Sequence, residues 1–182
     1  YGGLGSRLAG VKRLIYVEHD CWHYQQSPKH QHIFRFCDRL LRPDLAAVSQ
    51  PVADSLRSLG KRNVTLLPPG VCTGKFRPSA KRGARLRHGL PLEAKLIGCV
   101  GRLEVIKGHA GLVKAMVNLP DDTGLVLAGD GTEKTALESL ATSIGVRSRI
   151  HFLGHCEDVA ALYPAFDILA LPSLGEGLPR AV

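Results

Sequence analysis

Two cationic side chains stand five residues apart in the segment Gly101-Arg102-Leu103-Glu104-Val105-Ile106-Lys107-Gly108. The segment follows an apolar run and precedes helical spacing, so we expect a loop at the end of a strand. A guanidinium grips two oxygens, an ammonium acts as a point charge, and a helix N-terminus adds partial positive charge. Arg102 and Lys107 are therefore candidates for a diphosphate site, and the alternative is a solvated basic loop. The nucleotide P-loop pattern is absent.

A carboxylate stands between two glycines in Gly175-Glu176-Gly177-Leu178-Pro179. The Glu176 carboxylate could accept hydrogen bonds from sugar hydroxyls, while the amides of Gly177 and Leu178 could face an anion. These residues look like the opening of a helix, and the alternative role for Glu176 is to stabilise that helix through its dipole.

A second glycine turn, Gly129-Asp130-Gly131-Thr132, also follows an apolar run and precedes helical spacing. Asp-Gly turns are common because both residues tolerate unusual backbone conformations. Thr132 is a candidate cap for the next helix. The recurrence of glycines at strand ends makes a ligand loop worth considering here.

Short apolar runs alternate with helical patterns along the chain, which predicts an α/β fold built on parallel sheets. Ser49 is placed to cap one helix, and Met116 and Phe166 are expected in the core. The predicted strands are 14–17, 45–48, 64–67, 96–100, 125–128, 150–153 and 168–171, and the helices include 28–41, 50–59 and 109–119.

A proline-rich and basic segment, residues 68–92, interrupts this alternation and predicts a linker. We place a domain boundary near residue 80, which gives domains 1–80 and 81–182. The basic residues between 75 and 87 favour solvated surface, and the alternative is attachment to an anionic membrane.

Composition limits the function further. The formal net charge of +8 suits an anionic partner, but aromatic residues make up only 5%, which argues against a nucleic-acid binder. No apolar run approaches the roughly 18 residues of a membrane span. Five cysteines without a CxxC pair indicate neither a disulfide framework nor a zinc site, so we expect a reducing cytosol. The chain starts at Tyr1, and we expect it to be a piece of a longer protein.

Six motifs in order resemble one known family, the large retaining GT-B glycosyltransferase family often numbered four. Any one of these pieces is common, but together they cover nearly the whole chain. They are Val48-Ser49 with Val52-Ala53 and Leu56, Leu67-Pro68-Pro69-Gly70-Val71 through Phe76 and Pro78, Val100-Gly101-Arg102-Leu103 with Lys107-Gly108, Ala128-Gly129-Asp130-Gly131, Phe152-Leu153-Gly154, and Pro172-Ser173 with Glu176-Gly177.

The resemblance implies two Rossmann-like domains: the end of an acceptor-side N-terminal domain and the first half of a nucleotide-sugar C-terminal domain. By matching motifs, Arg102 and Lys107 would hold the donor diphosphate. Glu176 would be the first acid of an E-x7-E motif that touches the donor sugar, and His19 would face the transferred sugar. The donor-binding set would be Gly101, Gly129, Asp130, Gly131, Gly154, Cys156, Asp158, Gly177 and Leu178.

The implied activity is transfer of a hexose, with retention, from a UDP- or GDP-sugar to a sugar or lipid-linked acceptor. The role would be in polysaccharide, lipopolysaccharide or glycolipid synthesis, without metal or other cofactor. We expect a cytoplasmic location, with peripheral attachment to the inner face of the membrane as an alternative, and no nucleic-acid partner. An epimerase or phosphorylase of the same fold, or a basic binding module, remains an alternative function.

The chain departs from the family pattern in two places. Pro69 and Cys72 stand where the family usually has Asn and Asp, and the N-terminal glycine-rich loop is missing. For Asp158, the alternative to a place beside the nucleobase is a helix cap. His19 with Cys21 and His23 is an alternative metal cluster that lacks a fourth ligand. Other histidines, including His109, are expected at the surface or behind the site.

Overall fold

The computed structural model describes residues 2–20 and 27–181. In chain order its elements are α1 (Gly2–Leu8), β1 (Ile15–Glu18), α2 (Pro28–Leu41), β2 (Asp44–Ala47), α3 (Gln50–Ser58), β3 (Val64–Leu66), α4 (Lys81–Arg87), β4 (Lys95–Val100), a 3₁₀ turn (Val105–Lys107), α5 (His109–Ala115), a 3₁₀ turn (Met116–Asn118), β5 (Thr123–Ala128), α6 (Lys134–Ser143), a 3₁₀ turn (Arg147–Arg149), β6 (Ile150–Gly154), α7 (Val159–Leu162), a 3₁₀ turn (Tyr163–Ala165) and β7 (Ile168–Leu169).

These elements form two compact units. The first holds the described residues up to Gly70 together with Gly175–Arg180, and the second holds Val71–Leu174 with Ala181. The chain thus passes from one unit to the other at Gly70, earlier than residue 80, and returns to the first unit after Leu174. Among the described residues, no helix combines the length and the apolar character needed to span a bilayer.

The first unit contains a parallel sheet in the order β1-β2-β3. Helix α3 packs its apolar stripe, Val52, Ala53 and Leu56, against the buried residues of β2, because their spacing of one, three and four places them on one side of a helix. The core of this unit is therefore built from short local βα units, as the sequence pattern predicts.

Helix α2 has the bounds that its sequence predicts. It begins after Ser27, whose hydroxyl accepts a hydrogen bond from the His30 amide, and Pro28 occupies its first turn. It ends at Arg42, which adopts a left-handed conformation with φ 46°. Each end of α2 is marked by residues adjacent in sequence, so contacts with distant residues are not needed to set the bounds of the helix.

The second unit contains a parallel sheet in the order β6-β5-β4-β7. All six residues of the central strand β5 are buried, because helices cover both faces of a parallel sheet. One core cluster contains Val113, Met116 and Leu127, and the other contains Val126 and Phe166. Met116 is 1% exposed and Phe166 9% exposed, which confirms their predicted core positions.

A buried cation ties α4 to this sheet. The Arg85 guanidinium donates to the carbonyls of Ala165 and Leu92 at 2.9 and 2.5 Å and to the Asp167 carboxylate at 2.7 Å. Asp167 also accepts the Leu96 amide at 2.7 Å. The hydrogen bond from Lys81 is the main cause that lowers the pKa of Asp167, and burial opposes it. The network anchors α4 to β4 and to Asp167, the residue before β7.

Three predicted elements end early or do not form. Helix α5 stops at Ala115 and continues as a 3₁₀ turn, and β7 covers only Ile168–Leu169. The helix expected from Gly177 is wrong for the described residues, which form turns up to Ala181. The carbonyl of Ala181 instead accepts a hydrogen bond from the Tyr163 hydroxyl at 2.9 Å.

Candidate functional site

The loop that follows β4 places Arg102 at the carboxyl edge of the second sheet. Its neighbour Leu103 is 1% exposed and belongs to the core, whereas Arg102 is exposed. The Leu103 amide donates to the Asp130 carbonyl at 2.9 Å, and the Glu133 amide donates to the Leu103 carbonyl at 2.9 Å. These hydrogen bonds hold the main chain at buried Leu103, so the exposed Arg102 next to it has a fixed main-chain position.

The two glycines of the next loop allow this close approach. A Cβ on Gly129 would lie 1.9 Å from the Gly101 carbonyl oxygen, and φ of Gly129 is 147°. A Cβ on Gly131 would lie 2.4 Å from the Leu103 carbonyl oxygen. Only glycine fits at either position, because the opposing atoms are main chain and cannot rotate away. Packing of the two strand-end loops therefore accounts for both glycines.

Thr132 does not take the capping role that the sequence suggests. The Thr132 hydroxyl donates to Glu104 at 3.0 Å, and the residue in the cap position of α6 is Glu133, whose side chain makes no capping bond. The Asp130 carboxylate accepts the Gly131 amide at 2.9 Å. The expectation that Thr132 caps the helix is thus wrong, because its side chain ties the β5 loop to the β4 loop.

Lys107 closes the short 3₁₀ turn at the far end of the β4 loop. The next residue, Gly108, has φ 67°, and a Cβ there would lie 2.2 Å from the Pro172 carbonyl oxygen. The Leu174 amide donates to the Ile106 carbonyl at 2.8 Å. The segment after β7 therefore packs against the turn that carries Lys107, as adjacent strands β4 and β7 allow.

The positive charge of Lys107 acts on two buried groups. Burial lowers the pKa of His109, and Lys107 lowers it further. Burial raises the pKa of the Cys99 thiol to about 11, and Lys107 opposes this shift. The Lys107 ammonium is therefore close enough to act on both side chains. It favours the neutral form of His109 and the negative form of Cys99.

His109 was expected either at the surface or behind the site, and the structure buries it. It is 3% exposed at the start of α5, and its Nδ1 atom has no hydrogen-bond partner among the described residues. The position after Lys107-Gly108 was the only sequence signal for it. A buried, neutral imidazole directly behind the cationic turn is an unusual environment that the helical pattern alone does not predict.

The end of β6 brings Gly154 to the same edge of the sheet. Its φ is 68°, and its carbonyl accepts the Gly129 amide at 2.7 Å. Cys156 is partly buried against the apolar cluster beneath. The Asp158 carboxylate caps α7 by accepting the Ala161 amide at 3.4 Å, and it lies 3.8 Å from the Lys75 ammonium. Asp158 therefore makes the helix-cap contact, and its place beside the nucleobase stays a prediction.

In the first unit, the segment around Glu176 meets the carboxyl end of β1. A Cβ on Gly177 would lie 1.8 Å from the His19 carbonyl oxygen, so the two main chains are in close contact. The Ser49 hydroxyl donates to the Gly177 carbonyl at 2.5 Å rather than to its own helix, which corrects its predicted capping role. The side chains of His19 and Glu176 are both exposed.

The strand residue before His19 was also missed. Glu18 is 6% exposed, and its carboxylate accepts hydrogen bonds from the Tyr16 hydroxyl and the His19 amide, both at 3.2 Å. The alternation of β1 gave no sign of a buried acid. Cys21 and His23 of the alternative metal cluster lie outside the described residues.

The fold and these strand-end loops define the class of the protein as a parallel α/β protein of the GT-B glycosyltransferase type. The structure of Anabaena Alr3699/HepE in complex with UDP superposes with a TM-score of 0.83 at 26% identity, covering 100% of this chain and 52% of that one. WaaG, a glycosyltransferase involved in lipopolysaccharide biosynthesis, shares the fold with a TM-score of 0.75 at 20% identity, covering 96% of this chain and 56% of that one.

The sequence comparisons give the family. The family model described as "Glycosyl transferases group 1" matches residues 81–182, and the chain belongs to this family. The putative glycosyltransferase EpsF of Bacillus subtilis is 31% identical over 188 residues, 97% of this chain and 49% of that protein. D-inositol 3-phosphate glycosyltransferase of Corynebacterium urealyticum is 36% identical over 131 residues, 64% of this chain and 31% of that protein. The chain thus spans at most about half of the length of these relatives.

Proposed function

We propose that the intact protein transfers a hexose from a UDP- or GDP-sugar to a hydroxyl of a sugar or lipid-linked acceptor, with retention of configuration. The observation that carries the proposal is the loop after β4, which fixes an exposed Arg102 and the turn of Lys107 at the carboxyl edge of a parallel sheet. Ligands of open α/β sheets bind at this edge. UDP and UDP-glucose are bound in structures of the Anabaena relative, which supports a nucleotide-sugar donor.

The proposed chemistry needs cations at this edge. The bond between the anomeric carbon and the β-phosphate oxygen breaks, and its electron pair leaves with the nucleoside diphosphate. The acceptor oxygen bonds to the anomeric carbon, and its proton passes to the departing diphosphate. Negative charge grows on the departing diphosphate, so cations placed there stabilise the transition state more than the ground state. Arg102 and Lys107 would supply this stabilisation.

Two residues of the first unit have proposed roles of their own. Gly177 contacts the His19 main chain, so Glu176 and His19 lie on segments that meet at the end of β1. Glu176 would accept hydrogen bonds from donor hydroxyls, and His19 would lie on the acceptor side. Glu176 with the amides of Gly177 and Leu178, and Gly101, Gly129, Asp130, Gly131, Gly154, Cys156 and Asp158, form the proposed donor-binding set.

The test measures release of nucleoside diphosphate by the intact protein with a panel of UDP- and GDP-hexoses and an acceptor. Arg102→Ala and Lys107→Ala should each lower kcat by roughly 100-fold or more. Lys114→Ala, which removes an exposed cation from the last turn of α5, is the matched control and should leave kcat within about twofold.

Two results would contradict the proposal in different ways. Near-normal turnover by both variants would refute the diphosphate role of the loop. A sugar nucleotide that is epimerised without acceptor-dependent release of nucleoside diphosphate would refute the transferase itself. Analysis of the anomeric configuration of the product by NMR tests retention separately.

A further inference from the structure

Ser49 stands in the cap position of α3 without capping the helix. Among the residues that the structure describes, its side chain has no capping hydrogen bond. A capping hydroxyl normally accepts the amide of the second or third helical residue, and the second residue, Pro51, has no amide hydrogen. The Ser49 hydroxyl instead donates to the carbonyl of Gly177, 128 residues later, at 2.5 Å. A residue typical of a helix start therefore makes a distant contact.

The core of the first unit fixes the main chain at Ser49. The preceding residue, Val48, is 3% exposed, and its amide donates to the Glu18 carbonyl at 3.2 Å. On the other side, the Ala53 amide of α3 donates to the Ser49 carbonyl at 3.0 Å. The Ser49 hydroxyl is therefore carried by a main chain that the sheet holds on one side and α3 holds on the other.

The segment that receives this hydrogen bond has no regular structure of its own. Residues 175–180, all of them described, form neither helix nor strand, and the Glu176 side chain is exposed. A Cβ on Gly177 would lie 1.8 Å from the His19 carbonyl oxygen and 3.0 Å from the Cα of Asp20. The close packing at Gly177 and the Ser49 hydrogen bond together hold this segment on the first unit.

The two contacts restrict the segment in different ways. Packing of the Gly177 Cα against His19 fixes one point but leaves the segment able to rotate about that point. The Ser49 hydroxyl holds the carbonyl of the same residue, and the peptide group attached to that carbonyl is planar and rigid. The hydrogen bond therefore removes the rotation and sets the direction in which the side chain of the adjacent Glu176 leaves the main chain.

We propose that Ser49 is a positioning residue for Glu176, which it orients through its hydrogen bond to the Gly177 carbonyl. The inference rests on the proposed function, in which the Glu176 carboxylate accepts hydrogen bonds from hydroxyls of the donor sugar. Ser49 acts on the main chain of the segment and not on the sugar. Misplacement of a substrate-contacting group by about 1 Å can cost roughly 100-fold in rate. Because the packing at Gly177 remains when the hydroxyl is removed, we expect a smaller loss.

The test measures release of nucleoside diphosphate by variants of the intact protein, with the same panel of UDP- and GDP-hexoses. Ser49→Ala should lower kcat/KM for the donor roughly tenfold. Ser49→Thr keeps the hydroxyl, and the extended backbone there, with φ −151° and ψ 164°, suits a β-branched residue, so kcat/KM should stay within about threefold. The matched control is Ser58→Ala, which removes an exposed hydroxyl from the other end of α3 and should change kcat/KM less than about twofold.

Three further measurements separate positioning of Glu176 from a purely structural role. The affinity of Ser49→Ala for UDP or GDP alone, measured by calorimetry, should change less than about twofold, because these nucleotides carry no sugar for Glu176 to contact. In a Glu176→Ala background, Ser49→Ala should lower kcat/KM for the donor by less than about twofold, because the group it positions is already missing. Far-UV circular dichroism at the assay temperature should be the same for every variant.

Several results would overturn the inference. One is an unchanged kcat/KM for the donor in Ser49→Ala, and another is a threonine variant as impaired as the alanine variant. Equal weakening of nucleotide and sugar-nucleotide binding, full additivity with Glu176→Ala, or unfolding of Ser49→Ala at the assay temperature would also show that the hydroxyl does not act through Glu176. All of these results leave sugar transfer by the unchanged protein intact. Absence of transfer by the unchanged protein would instead refute the proposed function, and this inference with it.

Discussion

Gly129→Ala tests the interlocked loops that hold Arg102. The added Cβ would lie 1.9 Å from the Gly101 carbonyl oxygen and 2.8 Å from its carbon. To bring the added Cβ and the Gly101 oxygen to an ordinary van der Waals distance, the two main chains must separate by roughly 1.5 Å. That movement breaks the hydrogen bond from the Leu103 amide to Asp130, and the residue must also keep φ near 147°.

We expect Gly129→Ala to lower the free energy of unfolding of the second unit by about 3–5 kcal/mol, from overpacking, backbone strain and lost hydrogen bonds. Urea unfolding followed by far-UV circular dichroism measures this loss. Gly101→Ala is the control in the same loop pair, because no atom lies within 4 Å of its added Cβ. It should change stability by less than about 1 kcal/mol. Equal losses for the two variants, or a loss below about 1 kcal/mol for Gly129→Ala, would refute the reasoning.

Three further predictions concern other contacts. Asp167→Asn should cost about 2–3 kcal/mol in urea unfolding because a buried guanidinium loses its counter-charge, whereas the exposed control Asp122→Asn should cost under about 0.5 kcal/mol. Burial lowers the pKa of both His109 and His151 from 6.5, so the unfolded chain binds more protons and stability should fall as the pH drops below about 6.5. The slope of the free energy of unfolding against pH should reach at most about 1.4 kcal/mol per pH unit for each histidine. His109→Gln should reduce this slope when unfolding is measured from pH 7.5 to 5.5. An unchanged slope would contradict the assignment to His109. Ser49→Ala should lower the free energy of unfolding by about 1 kcal/mol. Ser58→Ala, at the exposed end of the same helix, should lower it by less.

The sequence predicted the elements well because their signals are local. Strand β4 and helix α2 each carry periodicity and end signals within a few residues, so their bounds needed no distant partner. The αβ alternation also predicted parallel sheets, since each crossover is too long for a hairpin. The GT-B fold class is confirmed by the solved relatives.

The side-chain roles were harder because they depend on residues far away in sequence. The Ser49 hydroxyl bonds a carbonyl 128 residues later, and Thr132 bonds Glu104, so neither caps its own helix. His109 is buried by packing that its helix alone does not reveal. The sequence pattern could find the positions of the loops but not which atoms face one another across them. The roles of Arg102 and the other predicted site residues stay predictions.

The packing role of Gly129 does not exclude its proposed role in donor binding, and we predict that the two are linked. Gly129 sets the distance between the β5 loop and the main chain that carries Arg102, so Gly129→Ala should displace the guanidinium without removing it. Misplacement by about 1 Å can cost roughly 100-fold in rate. If Gly129 acts through Arg102, the effect of Gly129→Ala on kcat should largely disappear in an Arg102→Ala background. Fully additive losses in this double-mutant cycle, measured by nucleoside diphosphate release at saturating donor, would mean that Gly129 affects the reaction by another route.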